Sequence, residues 1–196
     1  LSKVLHNKIF AIIEQFLGDY TKQIYGRELV KKVQLSQKNI ALTLLALEKE
    51  AILKSKSSSN RRYYALNLEN TEIKDILLIT EIIKKINFLK QQRKIANIFK
   101  ADDRVVGIFG SFASGTQRKD SDIDIFVIGR KIGQDYEKAG KIFDLLLSVK
   151  YFEENKFKKL LKEKNNLCKE MIKNHIIIFN GERFINIIWK NYYGFN

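Results

Sequence analysis

At 196 residues and 45% hydrophobic side chains, the chain is long enough to fold as one domain or as two small ones. No apolar run approaches the roughly 18 residues that a membrane span requires, and a single cysteine, Cys168, excludes an internal disulfide or a cysteine zinc cluster. A formal charge of +14 and a pI near 9.7 put nucleic acid and nucleotide phosphates first among partners, although a composition rich in Lys, Ile and Asn also follows from an AT-rich genome. A soluble, cytoplasmic protein is the expectation.

In chain order, Val4, Leu5, Ile9, Ile12, Ile13 and Phe16 recur at helical spacing and predict an amphipathic helix over residues 4–17, stopped by Gly18. A short helix over 26–33 follows. Ser36 is placed to cap a helix over 37–50, whose Ile40, Leu44, Leu45 and Leu47 form an apolar face. Residues 51–56 and 61–68 read as strands joined by a polar tip, Ser57-Ser58-Ser59-Asn60. Three helices followed by a basic hairpin are the order of a winged helix-turn-helix, expected over residues 1–69. In that reading the helix opening at Ser36 enters a DNA major groove with Gln37, Lys38, Asn39 and Thr43 exposed. Lys54, Lys56, Arg61 and Arg62 on the wing meet phosphates or the minor groove. The alternative use of such a fold is dimerisation or another protein contact.

Residues 71–100 carry one continuous helical pattern, of which 70–94 is expected to be a linking helix. Its first part packs on the winged domain or on a partner subunit, so a homodimer is among the expectations. From Val105 the pattern turns to alternating strand and helix, and residues 95–196 are expected to form the second domain. Strands are predicted over 105–109, 123–128, 147–152 and 176–179, and helices over 135–145, 153–173 and 182–192. The fold class is therefore α+β in two domains, the second a mixed sheet with flanking helices. Cys168 falls among apolar helical positions and suits a core, whereas His6 and His175 are isolated and suit surface or capping roles. Trp189, Tyr192, Tyr193 and Phe195 form an aromatic tail that packs back or meets a partner.

The stretch with chemical content runs from Gly110-Ser111 to Asp122-Ile123-Asp124. Gly-Ser directly after a buried strand, with a helix opening behind it, presents backbone N–H groups to an anion, and Ser111 adds a hydroxyl donor. Gly115 lets the chain turn after a short helix. Asp122 and Asp124 sit two apart at the start of a strand, so their carboxylates share a face, about 7 Å apart along the chain. Such a pair can bind Mg²⁺, one ion or two, which bridges substrate phosphates and steadies a departing pyrophosphate. Arg118, with Lys119 and Ser121 beside it, is placed to meet phosphate charge.

This stretch resembles the signature of the minimal nucleotidyltransferases of the DNA polymerase β superfamily: Gly-Ser, ten residues, Asp-x-Asp. The resemblance covers about residues 95–189, and a winged helix fused ahead of such a domain is a known arrangement. It implies transfer of a nucleoside monophosphate, AMP from ATP, to a protein or nucleic-acid hydroxyl. Gly110 and Ser111 would hold the triphosphate, and Asp122 and Asp124 the metal. Members of this kind are often paired with a HEPN-type toxin, which implies an antitoxin role. Active members usually place a third carboxylate on the next strand, where this chain has Ser148, flanked by Asp144 and Glu153. The alternative function is therefore a DNA-binding regulator whose nucleotidyltransferase domain is weak or inactive.

Overall fold

A computed structural model describes residues 8–195 and separates into two compact units, Leu1–Ile83 and Lys84–Asn196. Val4, Leu5 and His6 lie outside the described residues.

The first unit opens with α1 (Lys8–Ile13), which tightens into a 3₁₀ turn at Glu14–Phe16. A two-residue strand, β1 (Ile24–Tyr25), leads into α2 (Gly26–Val30) and then α3 (Gln37–Lys49). Ser36 caps α3, its hydroxyl oxygen accepting the Asn39 N–H at 3.3 Å. Strands β2 (Leu53–Ser58) and β3 (Arg61–Leu66) follow as an antiparallel hairpin, and β1 adds to the other side of β3. The turn is tighter than the four-residue tip expected. Ser57 and Ser58 stay in the ladder opposite Arg62 and Arg61, and only Ser59 and Asn60 turn, both with positive φ, as a two-residue hairpin requires. The strand β1 was invisible to periodicity because two residues carry none.

Ile12, Ile13, Phe16, Ile40, Leu44 and Leu47 are buried together with Leu53 and Leu66 of the hairpin. Two positions on α3 depart from expectation. Leu45, read as core, is 47% exposed, while Thr43, read as exposed, is 9% exposed. Thr43 can be buried because its hydroxyl donates to the Asn39 carbonyl at 2.8 Å, leaving no polar group unpaired. Tyr64 is buried and Tyr63 partly so.

The long helix α4 (Ile73–Gln91) stops well before residue 100. At Gln92 the backbone leaves the helical region (φ −113°, ψ 61°), and a single turn, α5 (Arg93–Ala96), follows.

The second unit is built on a four-stranded mixed sheet in the order β6-β5-β4-β7. Here β4 is Val105–Phe109, β5 is Ile123–Ile128, β6 is Leu147–Phe152 and β7 is His175–Phe179. β4 runs antiparallel to β5 and β7, while β5 and β6 are parallel and are joined through α7 (Tyr136–Ile142). The segment expected as one helix over 153–173 is two: α8 (Glu154–Lys162) and α9 (Asn166–Lys173). Lys164 adopts φ 53° between them, and Asn165 caps the second by accepting the Leu167 N–H. α10 (Gly181–Ile188) ends in a π-turn, Trp189–Tyr193, closed by Gly194 at φ 74°.

One face of the sheet gathers Val106, Ile108, Ile123, Ile125 and Val127 with Ile95, Ile98 and Tyr136. On the other, Phe126 meets Phe109 at 6.1 Å and Phe184 of α10 at 5.6 Å. A Cβ on Gly107 would fall 2.4 Å from the Phe126 ring, so only glycine leaves room for it. Cys168 is fully buried in this unit, and burial pushes its thiol up to about 11, which suits packing and not nucleophilic chemistry. His175 is buried rather than superficial: its Nδ1 lies 2.8 Å from the Ile172 carbonyl and its ring stands edge-on to Phe184. The aromatic tail packs on itself, Phe195 meeting Trp189 at 4.9 Å and stacking on Tyr193, with Lys164 over the Tyr192 ring.

An ion pair closes the far end of the sheet. Asp102 accepts from Arg104 Nη2 and from the Tyr136 hydroxyl, each at 2.7 Å, and Asp102 and Arg104 are both almost wholly buried. Burial opposes the charge on Asp102, but these donors more than reverse that and hold its carboxyl below the usual range. Burial, with the bond to Asp102, raises the Tyr136 phenol far above its ordinary value.

Candidate active site

β4 and β5 are near-continuous apolar runs, buried on both faces, so their ends are defined and the residues beyond them are held by a rigid edge. At the end of β4 the chain turns through Gly110 (φ +70°) into α6 (Gly110–Ser114), which Gly115 closes at φ +72°. Positive φ is one reason for glycine at 110. The other is Asp124: a Cβ on Gly110 would lie 2.8 Å from its Oδ2. The Asp124 carboxylate therefore rests directly against the turn that carries Ser111.

Register fixes the rest. Asp124 stands opposite Phe109 on β4 and opposite Ser148 on β6. Phe109 in turn faces His175 on β7, so Ser148, Asp124, Phe109 and His175 form one row across the sheet. Asp122 precedes β5 and is exposed; Asp124 is half-buried. Asp144 (φ 52°) lies in the loop before β6 and Glu153 follows its end, so neither falls in that row. Ser148 alone on β6 stands beside Asp124.

The loop between α6 and β5 is internally braced. Ser121 Oγ accepts the Arg118 N–H at 2.8 Å, and Ser114 Oγ donates to the Ser111 carbonyl at 3.1 Å. Ser121 thus shapes the turn that leads into Asp122, whatever else it touches. Arg118 and Lys119 are exposed on that turn.

A cavity of about 380 Å³ opens beside this strand end and was not foreseen from the sequence. Phe112, Ile95 and Ile123 give it apolar walls, and Lys90, Arg93 and Lys94 supply cations. Gln91, Gln92 and Arg93 line it where the helix breaks, and no glycine or proline marked that break. Two other clefts, of about 490 and 450 Å³, share the Glu154–Arg183 ion pair and lie away from the Asp124 edge.

Among the described residues no group of three or more His, Cys, Asp or Glu side chains could hold a metal ion. Asp124 on β5 and Asp122 just before it are two carboxylates two residues apart, and Mg²⁺ is characteristically held by one or two carboxylates together with substrate phosphates. The pair fits an ion that arrives with a polyphosphate, not one caged by protein alone.

In the first unit, Lys54, Lys56, Arg61 and Arg62 are exposed on the hairpin, and Gln37 and Lys38 on the first turn of α3. Arg62 is tied to Glu48 at 2.6 Å and to Ser55, and Asn39 accepts from Lys8, so both are partly engaged within the protein. Thr43 does not reach the surface.

The second unit is thus the mixed-sheet part of an α+β chain, with a glycine turn lying against a strand-borne carboxylate at the ends of its two central strands. More specifically, residues 93–183 match the family described as Polymerase beta, Nucleotidyltransferase, and this segment is a nucleotidyltransferase domain of that superfamily. No curated protein and no solved structure matches the chain. No helix among the described residues is long and apolar enough to cross a membrane.

Proposed function

We propose that the chain is a Mg²⁺-dependent nucleotidyltransferase that moves a nucleoside monophosphate, AMP from ATP, to a hydroxyl of a protein or nucleic acid. The observation that carries this reading is the Asp124 carboxylate lying against Gly110, which couples the acidic edge to the Gly-Ser turn. In this reading Ser111 and the free N–H groups of the first turn of α6 hold phosphate oxygens, and Arg118 screens their charge. Asp122 and Asp124 would hold an ion, which would supply positive charge to the polyphosphate and to the departing pyrophosphate. The cavity at Phe112 and Ile123, rimmed by Lys90, Arg93 and Lys94, offers an apolar wall for a base beside cations for phosphate. A hydroxyl on a HEPN-type toxin, as the family resemblance implies, would make the chain an antitoxin.

The test is incubation of the full chain with Mg²⁺ and each α-labelled NTP, with and without candidate acceptor protein or RNA. Label transferred by the wild type and lost in Asp122→Asn and Asp124→Asn supports the reading. Neither nucleotide binding nor transfer under any pairing refutes it.

A second reading rests on Ser148. A hydroxyl beside Asp124 supplies no third negative charge, which favours a domain that binds nucleotide and turns it over slowly, attached to a DNA-binding regulator. In that case the exposed cations of the hairpin, with Gln37 and Lys38 of α3, contact DNA. A gel shift whose affinity is insensitive to salt counts against phosphate-led recognition.

A further inference from the structure

The Leu1–Ile83 unit leaves two helices with exposed apolar stripes. On α3, Leu42 is 57% and Leu45 47% exposed; on α4, Ile79 is 45% and Ile82 41% exposed. At about 100° per residue, Leu42, Leu45 and Lys49 fall on one narrow strip of α3, and Asp75, Ile79 and Ile82 on one strip of α4. Lys49 lies in the last turn of α3 and Asp75 in the first turn of α4, and both are exposed.

The two strips match when read in opposite directions. From Leu42 the steps to Leu45 and then Lys49 are the same as those from Ile82 to Ile79 and then Asp75. Laid antiparallel, they set Leu42 on Ile82, Leu45 on Ile79, and the Lys49 cation on the Asp75 carboxylate. Ala41 and Ala46 beside the α3 strip are exposed and small, so a second helix can approach closely. All four apolar side chains stay exposed within one chain, so the strips do not cover each other there. Pairing α3 with a second α3 is disfavoured: setting Leu42 on Leu45 antiparallel brings Lys49 onto Lys38, two like charges.

We propose that two copies of this chain associate through these strips, α3 of one against the start of α4 of the other, the contact being made twice about a two-fold axis. Burying four exposed aliphatic side chains twice over supplies the driving force, and the Lys49–Asp75 pair sets the register. The proposal is independent of the nucleotidyltransferase site, and it leaves the hairpin cations free for DNA, whereas Lys38, one turn before Leu42, belongs to the same strip.

The experiment is light scattering of the full chain, eluted over a range of concentrations. The wild type is expected at twice the 22.9 kDa chain mass, and Leu45→Gln and Ile79→Gln at the single-chain mass with a cooperative melt that no longer depends on concentration. Lys49→Glu and Asp75→Lys are each expected as monomers, since each creates two like-charge contacts. Their equimolar mixture is expected to regain the dimer, because each contact then joins opposite charges. A wild type that stays monomeric, or a dimer indifferent to all four substitutions, overturns the proposal. So does a mixture that fails to associate. A Leu45→Gln variant with unchanged mass and weakened DNA binding also overturns it, and assigns the face to DNA.

Discussion

Gly110→Ala separates the two demands that the site places on position 110. The first is conformational: alanine at φ +70° costs about 1–2 kcal/mol, the penalty of the left-handed region for a residue with a Cβ. The second is steric and specific, because the new methyl would sit 2.8 Å from Asp124 Oδ2. That atom ends a side chain, so the strain is relieved by Asp124 swinging aside, and the damage falls on metal and nucleotide binding more than on folding. Gly115→Ala is the control. It has nearly the same φ, +72°, but nothing lies within 4 Å of the added methyl. Both variants should therefore lose about 1–2 kcal/mol in urea unfolding, with melting falling about 2–4 °C per kcal/mol. Only Gly110→Ala should also weaken Mg²⁺-dependent NTP binding, by at least about tenfold, the scale seen when metal ligands lose their orientation. Titration calorimetry of NTP with and without Mg²⁺ reads this directly. Equal binding losses in the two variants, or normal binding in Gly110→Ala, would refute the idea that Asp124 works from its place over the turn.

Asp102→Asn leaves the Arg104 guanidinium buried without its counter-charge and should cost about 3–5 kcal/mol, measured by urea denaturation. Asp102 has a lowered folded pKa, so its contribution is complete above the unfolded value near 3.9 and is lost as pH falls through the folded one. The variant's stability should accordingly depend less on pH below about 4 than the wild type's, and an identical acid limb would argue that Asp102 is not charged in the fold. Ser148→Asp adds a carboxylate in register with Asp124 and should tighten Mg²⁺-dependent NTP binding and raise transfer, measured with labelled NTP; no change in metal dependence would remove Ser148 from the site. On the hairpin, Lys56→Ala should lower the salt slope of DNA binding by about 0.9, whereas Arg62→Ala should change it less because Glu48 already pairs with that guanidinium.

What the sequence disclosed tracks how local each signal is. β4 and β5 were legible to the residue because each is a short, nearly unbroken apolar run bounded by loop residues, and β6 because Leu147, Val149 and Tyr151 alternate with Ser148 and Lys150; the Gly110-Ser111 and Asp122/Asp124 pattern was legible as a spacing. Helix breaks were not. Gln92 is an ordinary helix former, and no residue there marks its departure from helical backbone. At Lys164 the clue was present in the Asn165 cap that follows, overridden by the apolar periodicity on either side. On α3 the error was a rotation: Thr43 and Leu45 are both compatible with a core, and burying the threonine hydroxyl on Asn39 O lets the helix turn Leu45 outward. Polarity alone ranks those two positions the other way.

The same logic decides the weight of Ser148. Its identity is plain in the sequence, but its meaning depends on register, since a shift of one residue would place Leu147 or Val149 beside Asp124 and turn Ser148 to the other face. The parallel pairing of Asp124 with Ser148 removes that freedom, and the loop conformation of Asp144 removes the nearest substitute. The Asp124 carboxylate and a hydroxyl then stand side by side at this strand end, with Asp122 two residues before. If Asp122 and Asp124 hold Mg²⁺ as proposed, a polyphosphate is needed to complete the set, so nucleotide binding and metal binding should be strongly interdependent here. Tight Mg²⁺ binding without nucleotide would demand a third acid beside these two, and among the described residues there is none.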